Sequence, residues 1–250
     1  MLAITLLGLI VGIAAVLTGQ AMEGGKASSL IQPSAFLIVI GGTLGAVLVQ
    51  STPGCALRAV KMLAWLVIPP KGITPEEIKT WTAMAEIGAK KGLPRLEDTA
   101  RVTQDPFLKK ALELVADNHR ADFIRERLLT EIKIRDAQLR VGARVWEAAA
   151  GYAPTIGILG SVLGLLHVME SLKDPSRLGT GIAVAFVATI YGLVTANLLY
   201  LPIAGKLKVI ISAMTLRDEM RMEAAAAIAS GESPSRVRER LTAFVNGVAS

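Results

Sequence analysis

Four long stretches of this 250-residue chain have no charged residue at all: Leu2 to about Gly19, a run between Lys26 and Arg58 with its core at Ser34–Val49, Ala148–Met169, and Leu178–Gly205. A soluble domain of this size does not leave such gaps, and about 20 apolar residues suffice to cross a bilayer. Cysteine is nearly missing too. The single Cys55 excludes an intrachain disulfide and reads as a small buried residue. Aromatic residues make up 4% of the chain and histidine occurs twice. No His/Cys cluster has metal spacing, no Gly-rich loop suits a phosphate, and no nucleophile has a plausible base, so no catalytic residue and no metal or cofactor is expected. The net charge of +6 is not interleaved with aromatics in any nucleic-acid motif, so nucleic acid is not the expected partner.

The composition fits an all-α polytopic membrane protein: 52% hydrophobic residues and a mean hydropathy of +0.50. The first run lacks a basic start and a small-residue cleavage site, so it reads as a retained span rather than a signal peptide. The basic residues are lopsided. Of 27, all but Lys26, Lys173 and Arg177 fall in 51–147 or from Lys206 onward. By the positive-inside rule those segments and both termini face the cytoplasm. Four regions follow: 1–50 with spans one and two at the periphery, 51–147 as a helical cytoplasmic domain, 148–205 with spans three and four, and 206–250 as a helical tail.

Helix punctuation is clear in the polar segment. Thr74-Pro75-Glu76-Glu77 offers a cap, a proline at the first helical position and a glutamate at the capping-box position, and predicts a helix to about Lys91, broken by Gly92 and Pro94. A second piece starts at Leu96-Glu97-Asp98, and a third at Asp105-Pro106, ending near Asp117–His119. From Asp122 the pattern stays helical past Trp146 with no strong breaker, so span three is expected to grow out of a long rod. Span four is expected to continue to about Ile228, and Ser233-Pro234 to cap a last basic helix.

Spans three and four carry a stripe of small and hydroxyl residues that lipid-facing helices do not need: Gly157, Gly160, Ser161 and Gly164 in one, Ala185, Ala188, Thr189, Gly192, Thr195 and Ala196 in the other. Two readings of Ser161 and Thr189 stand side by side: hydroxyls lining an ion path, or hydroxyls bonded back to their own helices. A hydroxyl cannot carry charge near neutral pH. No span has an acid at mid-depth, so a second polypeptide must supply one if ions move here. His167, near the outer end of span three, reads as an interfacial histidine, with proton relay the alternative. Pro154 and Pro202 lie near the inner ends of the two spans, as simple kinks or as hinges between membrane and cytoplasmic parts.

The runs APTIGILGSVLGLLHVMESL and AVAFVATIYGLVTANLLYLPIAGKL, with GGTLGAVLVQ in span two, resemble the MotA/PomA family of flagellar stator proteins within the MotA/TolQ/ExbB group. The resemblance covers nearly the whole chain. It implies a homopentameric ring in the inner membrane around single-span helices of MotB-type partners. Those partners carry the ion-binding aspartate and anchor to peptidoglycan, and ion flow turns the rotor switch protein. On that resemblance Pro154 and Pro202 match the coupling prolines, and Thr189 matches the threonine beside the partner's aspartate. Ser161 falls where sodium-driven members carry threonine and many proton-driven ones a small apolar residue, so proton and sodium both stay open. Lys90, Lys91, Glu97 and Asp98 fall where the family faces the rotor with charge, although lysine here replaces the usual arginine and Gly92–Arg95 intervenes. By charge pattern alone those four are a solvated face. Two other readings are an ExbB/TolQ-type energiser of an outer-membrane process, whose relatives have three spans, and a non-conducting membrane scaffold.

Overall fold

A computed structural model describes residues 2–170 and 175–246. Every element among the described residues is helical. Four helices are long and apolar enough to cross a membrane. The chain divides into two compact units: residues 1–69 with 140–208, and 70–139 with 209–250. The two long helices contribute to both. The charge-based division drawn above, at 50/51, 147/148 and 205/206, differs from these bounds, most of all at the first.

In the first unit α1 (Leu2–Met22) is a regular apolar helix with most side chains exposed. After a 3-10 turn at Ala27–Leu30, the second span is built from α2 (Pro33–Phe36), a π-helical turn at Leu37–Gly41, and α3 (Gly42–Gln50). Pro53 then sits at the first position of α4 (Pro53–Met62), followed by α5 (Ala64–Val67). The Ser-Thr-Pro-Gly cluster reads as a loop but works as a helix start, with Ala59 and Met62 buried and the Trp146 Nε1–H donating to the Ala59 carbonyl (3.2 Å). Cys55, on α4, is half-buried.

The second unit follows its sequence punctuation closely. Thr74 Oγ1 accepts from the Glu77 N–H (3.2 Å) to start α6 (Pro75–Lys91), and Gly92, at φ +88°, ends it. A 3-10 turn at Leu93–Arg95 leads into α7 (Leu96–Val102). Asp105 Oδ1 accepts from the Phe107 and Leu108 N–H groups (3.0 and 3.3 Å) to start α8 (Pro106–Ala116). The rod α9 (Ala121–Glu170) runs unbroken for 50 residues, as expected. The fourth span is α10 (Pro175–Val194), a π-helical turn at Thr195–Tyr200, and α11 (Leu201–Ala229). Ser233 Oγ then accepts from the Arg236 N–H at the start of α12 (Pro234–Asn246).

The core of the second unit joins α6, α7, α8, the start of α9, the end of α11, and α12. Trp81, Leu96, Leu112, Ile124, Leu128, Met220 and Leu241 are all buried in it. Ala224–Ala227 are fully buried as well, and side chains this small let neighbouring helices close on α11.

One departure from the capping pattern organises this unit. Glu77 does not reach back to its cap. It takes both arginines of α11 instead: Arg217 Nε at 2.6 Å and Arg221 Nε at 2.6 Å. Arg221, 3% exposed, also donates to Asp105 (2.7 Å) and Asp218 (3.3 Å), and Arg135 donates to Asp218 (2.8 Å). Charge-assisted bonds to a buried guanidinium outweigh one bond to a backbone N–H. The two aspartates respond oppositely. Burial pushes the Asp218 carboxyl up, against Arg135 and Arg221. Burial also raises Asp105, but Arg221 and the capped N–H groups outweigh it and leave that carboxyl below its usual value. On acidification Asp218 therefore takes up its proton before Asp105 does. Arg221→Ala removes the buried guanidinium shared by Glu77, Asp105 and Asp218, leaving Glu77 to Arg217 and buried Asp218 to Arg135, and is expected to cost about 3–5 kcal/mol. Thermal unfolding of the purified protein checks this, and an unchanged midpoint would remove the network from the account.

Candidate ion path

Spans three and four meet backbone to backbone, and glycine makes this possible. A Cβ built on Gly157 falls 2.9 Å from the Ala188 carbonyl oxygen, one on Gly164 falls 2.7 Å from the Ala185 nitrogen, and one on Gly192 falls 2.5 Å from the Ala153 carbonyl oxygen. No side chain fits in those places, so the small-residue stripe is the contact itself. The second span closes over the hairpin. Gly42 lies against Ile156, Gly160 against Ile38, and Val47 joins Ala149, Ala153 and Ala196 in one buried cluster.

Ser161 and Thr189 meet inside this contact, with Oγ and Oγ1 2.5 Å apart. Ser161 Oγ is within hydrogen-bond range of two carbonyls, that of Gly157 one turn back on its own helix (3.2 Å) and that of Ala185 on the facing helix (2.5 Å). The Ala185 carbonyl is the one a back-bonded Thr189 would use, four residues earlier on its own helix. Ser161 thus reaches backbone on its own helix and on the facing one, and couples to Thr189 as well. The result is a cluster of hydroxyl and carbonyl oxygens with no acid in it. None of the described spans supplies one at mid-depth; Glu147 and Glu170 are at the ends of the third run.

The two prolines sit differently in their helices. Pro154 is inside α9 and removes the donor that would have met the Ala150 carbonyl. Pro202 is the second residue of α11, directly after the π-turn at Thr195–Tyr200, the adjustment that rehouses carbonyls a proline leaves unpaired. Around them the helices are tied by the Lys208–Glu147 ion pair and by the ring contact of Trp146 with Tyr200 (centroids 6.2 Å apart).

His167 stands apart from the hydroxyl pair. It is exposed, 4.0 Å from Glu170, and lines a separate 340 Å³ cavity with Ser34, Ile38, Leu163, Gly164, Gly181 and Val184. The four charges expected to face a partner are on the second unit and do not form one cluster. Lys91 and Asp98 share a groove with Ile87, Arg95 and Thr99. Lys90 pairs with Glu86 (3.6 Å), Glu97 with Arg101 (2.9 Å) and Asp98 with Arg95 (3.4 Å), all exposed. Tyr191 is a contact that pattern reading missed. Its hydroxyl donates to the Leu30 carbonyl (2.5 Å) and accepts from the Gln32 N–H (3.3 Å), latching span four to the entry of span two. The available hint was a phenol inside an otherwise apolar run, which needs a polar partner there.

Residues 99–220 match the MotA/TolQ/ExbB proton channel family, and residues 6–84 match the motility protein A N-terminal family. The chain is 31% identical over 242 residues to motility protein A of Bacillus subtilis (strain 168), covering 96% of this chain and 90% of that protein. It is 32% identical over 243 residues to chemotaxis protein PomA of Vibrio alginolyticus, covering 97% and 94%. The chain belongs to the MotA/PomA family. The solved structures agree. The C. jejuni MotAB structure superposes with a TM-score of 0.88 at 27% identity, covering 96% of this chain and 94% of that one. The flagellar MotAB stator complex from Bacillus subtilis gives 0.84 at 30% identity, covering 94% and 92%. The N-terminal match takes in both spans that precede the polar segment, so this MotA/PomA chain is not of the three-span ExbB/TolQ type.

Proposed function

We propose that this MotA/PomA chain is the ion-channel subunit of a flagellar stator. It conducts protons or sodium ions together with a MotB-type single-span partner and turns that flow into torque on the rotor switch protein. The observation that carries this reading is the Ser161–Thr189 oxygen cluster, set between close-packed spans with no acid at mid-depth in a chain built like the MotAB complexes. Oxygen ligands without a titrating group position a cation but do not hold its charge, so the partner's aspartate completes the site. In this reading the chain does no covalent chemistry and needs no cofactor beyond the transported ion. It sits in the inner membrane as a homo-oligomer, a pentamer, with both termini cytoplasmic.

Pro154 and Pro202 flank the conducting hairpin and act as its flexible joints, and the charged ridge of α6 and α7 meets the rotor. Lys90→Glu is expected to impair torque, and an opposite charge change on the rotor protein to restore it. Failure of every rotor change to restore torque would remove Lys90 from the contact. A reporter fused at Lys110 should read as cytoplasmic and one in the link 171–179, part of which lies outside the described residues, as periplasmic. The direct test of the function is motility of a deletion strain carrying this chain and its partner, with and without sodium. Paralysis restored only by the pair supports the reading; normal swimming of the deletion strain, with no other stator genes present, opposes it.

A further inference from the structure

Below the hydroxyl pair, span four carries one more polar side chain on an open face. Between Thr189 and Lys206 the exposed residues are Leu193, Asn197, Leu199, Leu201 and Gly205, and of these Asn197 alone has a polar side chain. Thr189, Leu193 and Asn197 recur at intervals of four, which puts them on one side of the helix. The π-turn at Thr195–Tyr200 takes up an extra residue, and so keeps Leu201 and Gly205 near the same stripe down to the first charge at Lys206. Asn197 lies eight residues past Thr189 and nine before Lys206, about 12–14 Å from each at 1.5 Å per residue.

An amide at that depth is expensive in hydrocarbon unless polar groups or water meet it. Its Nδ2 donates to the Leu193 carbonyl, one turn back (2.8 Å). That bond uses one of the two Nδ2 hydrogens and leaves Oδ1 as the acceptor of the group, and a helix interior has no spare N–H to give it. A water, or the passing cation, suits such an oxygen.

We propose that Asn197 is a second station on the ion path: its Oδ1 anchors the water that carries the ion from the Ser161–Thr189 pair toward the Lys206 end of the span. This rests on the conducting role assigned above, and the test separates the two. The full complex with its partner is placed in lipid vesicles, and cation flux is scored per assembled complex for Asn197→Ser, Asn197→Ala and, in parallel, Thr189→Ala. Serine and alanine differ by one oxygen, so packing treats them almost alike. A relay does not. Serine should keep at least half the normal flux and alanine lose about fivefold or more, a barrier change of the size one lost oxygen contact produces. Equal flux in the two variants, or equal loss of assembly in both, makes Asn197 a packing residue and overturns the proposal. Normal flux in Thr189→Ala would instead overturn the parent reading.

Discussion

Thr189→Ala is expected to cut cation flux by about tenfold or more, the effect of some 1.4 kcal/mol on the barrier, while the complex assembles at normal abundance. The structure predicts that separation of effects. Ser161 already has the Gly157 and Ala185 carbonyls within reach, so losing the Thr189 hydroxyl leaves no stranded donor behind. Hydrogen bonds between membrane helices contribute only about 0.6 kcal/mol on average, too little to dismantle the hairpin. What disappears is one oxygen from the only hydroxyl pair that, among the described residues, the packed faces of spans three and four bring together. Flux in vesicles, with co-purification of the partner as the assembly control, separates the outcomes. Thr189→Ser, which keeps the oxygen, should retain most of the flux. Unchanged flux in Thr189→Ala would take the hydroxyl pair off the path.

Gly192→Val acts the other way, on assembly first. The first carbon of any side chain there would fall 2.5 Å from the Ala153 carbonyl oxygen and 3.1 Å from Pro154 Cα. Both obstacles are backbone, so neither can swing aside, and the helices must part. Overpacking of this kind costs about 1–3 kcal/mol or more. Parting the helices also pulls Thr189 away from Ser161, less than one turn further along the contact. The expected result is loss of most folded protein from the membrane, with the residue that remains non-conducting. Gly192→Ala should lie between this and the normal chain. Normal abundance and thermal stability of Gly192→Val would mean that the hairpin is looser than its geometry requires.

Much of this architecture is legible from residues alone, because its causes are local. Charge-free length defines the spans, Thr74-Pro75 and Asp105-Pro106 set helix starts, and Gly92 at φ +88° sets a stop. The missing acid is visible as well, and with it the need for a partner. What stayed hidden depends on neighbours distant in sequence. The π-turns at Leu37–Gly41 and Thr195–Tyr200 carry no composition of their own. Glu77 has the right spacing for a capping box and is drawn away by arginines 140 and 144 positions later. The Tyr191 latch and the bond from Ser161 to the Ala185 carbonyl likewise need the helices to be side by side. Spacing nominated Ser161 and Thr189, but only packing placed one against the other.

The central claim is that this chain shapes a cation path whose charge-holding group belongs to its partner. Flux through vesicles containing the chain alone, the chain with its partner, and the chain with a partner whose aspartate is replaced by asparagine tests it most directly. Conduction in the second preparation only is the predicted result. Cation flow through the chain by itself, or undiminished flow with the asparagine partner, would contradict it.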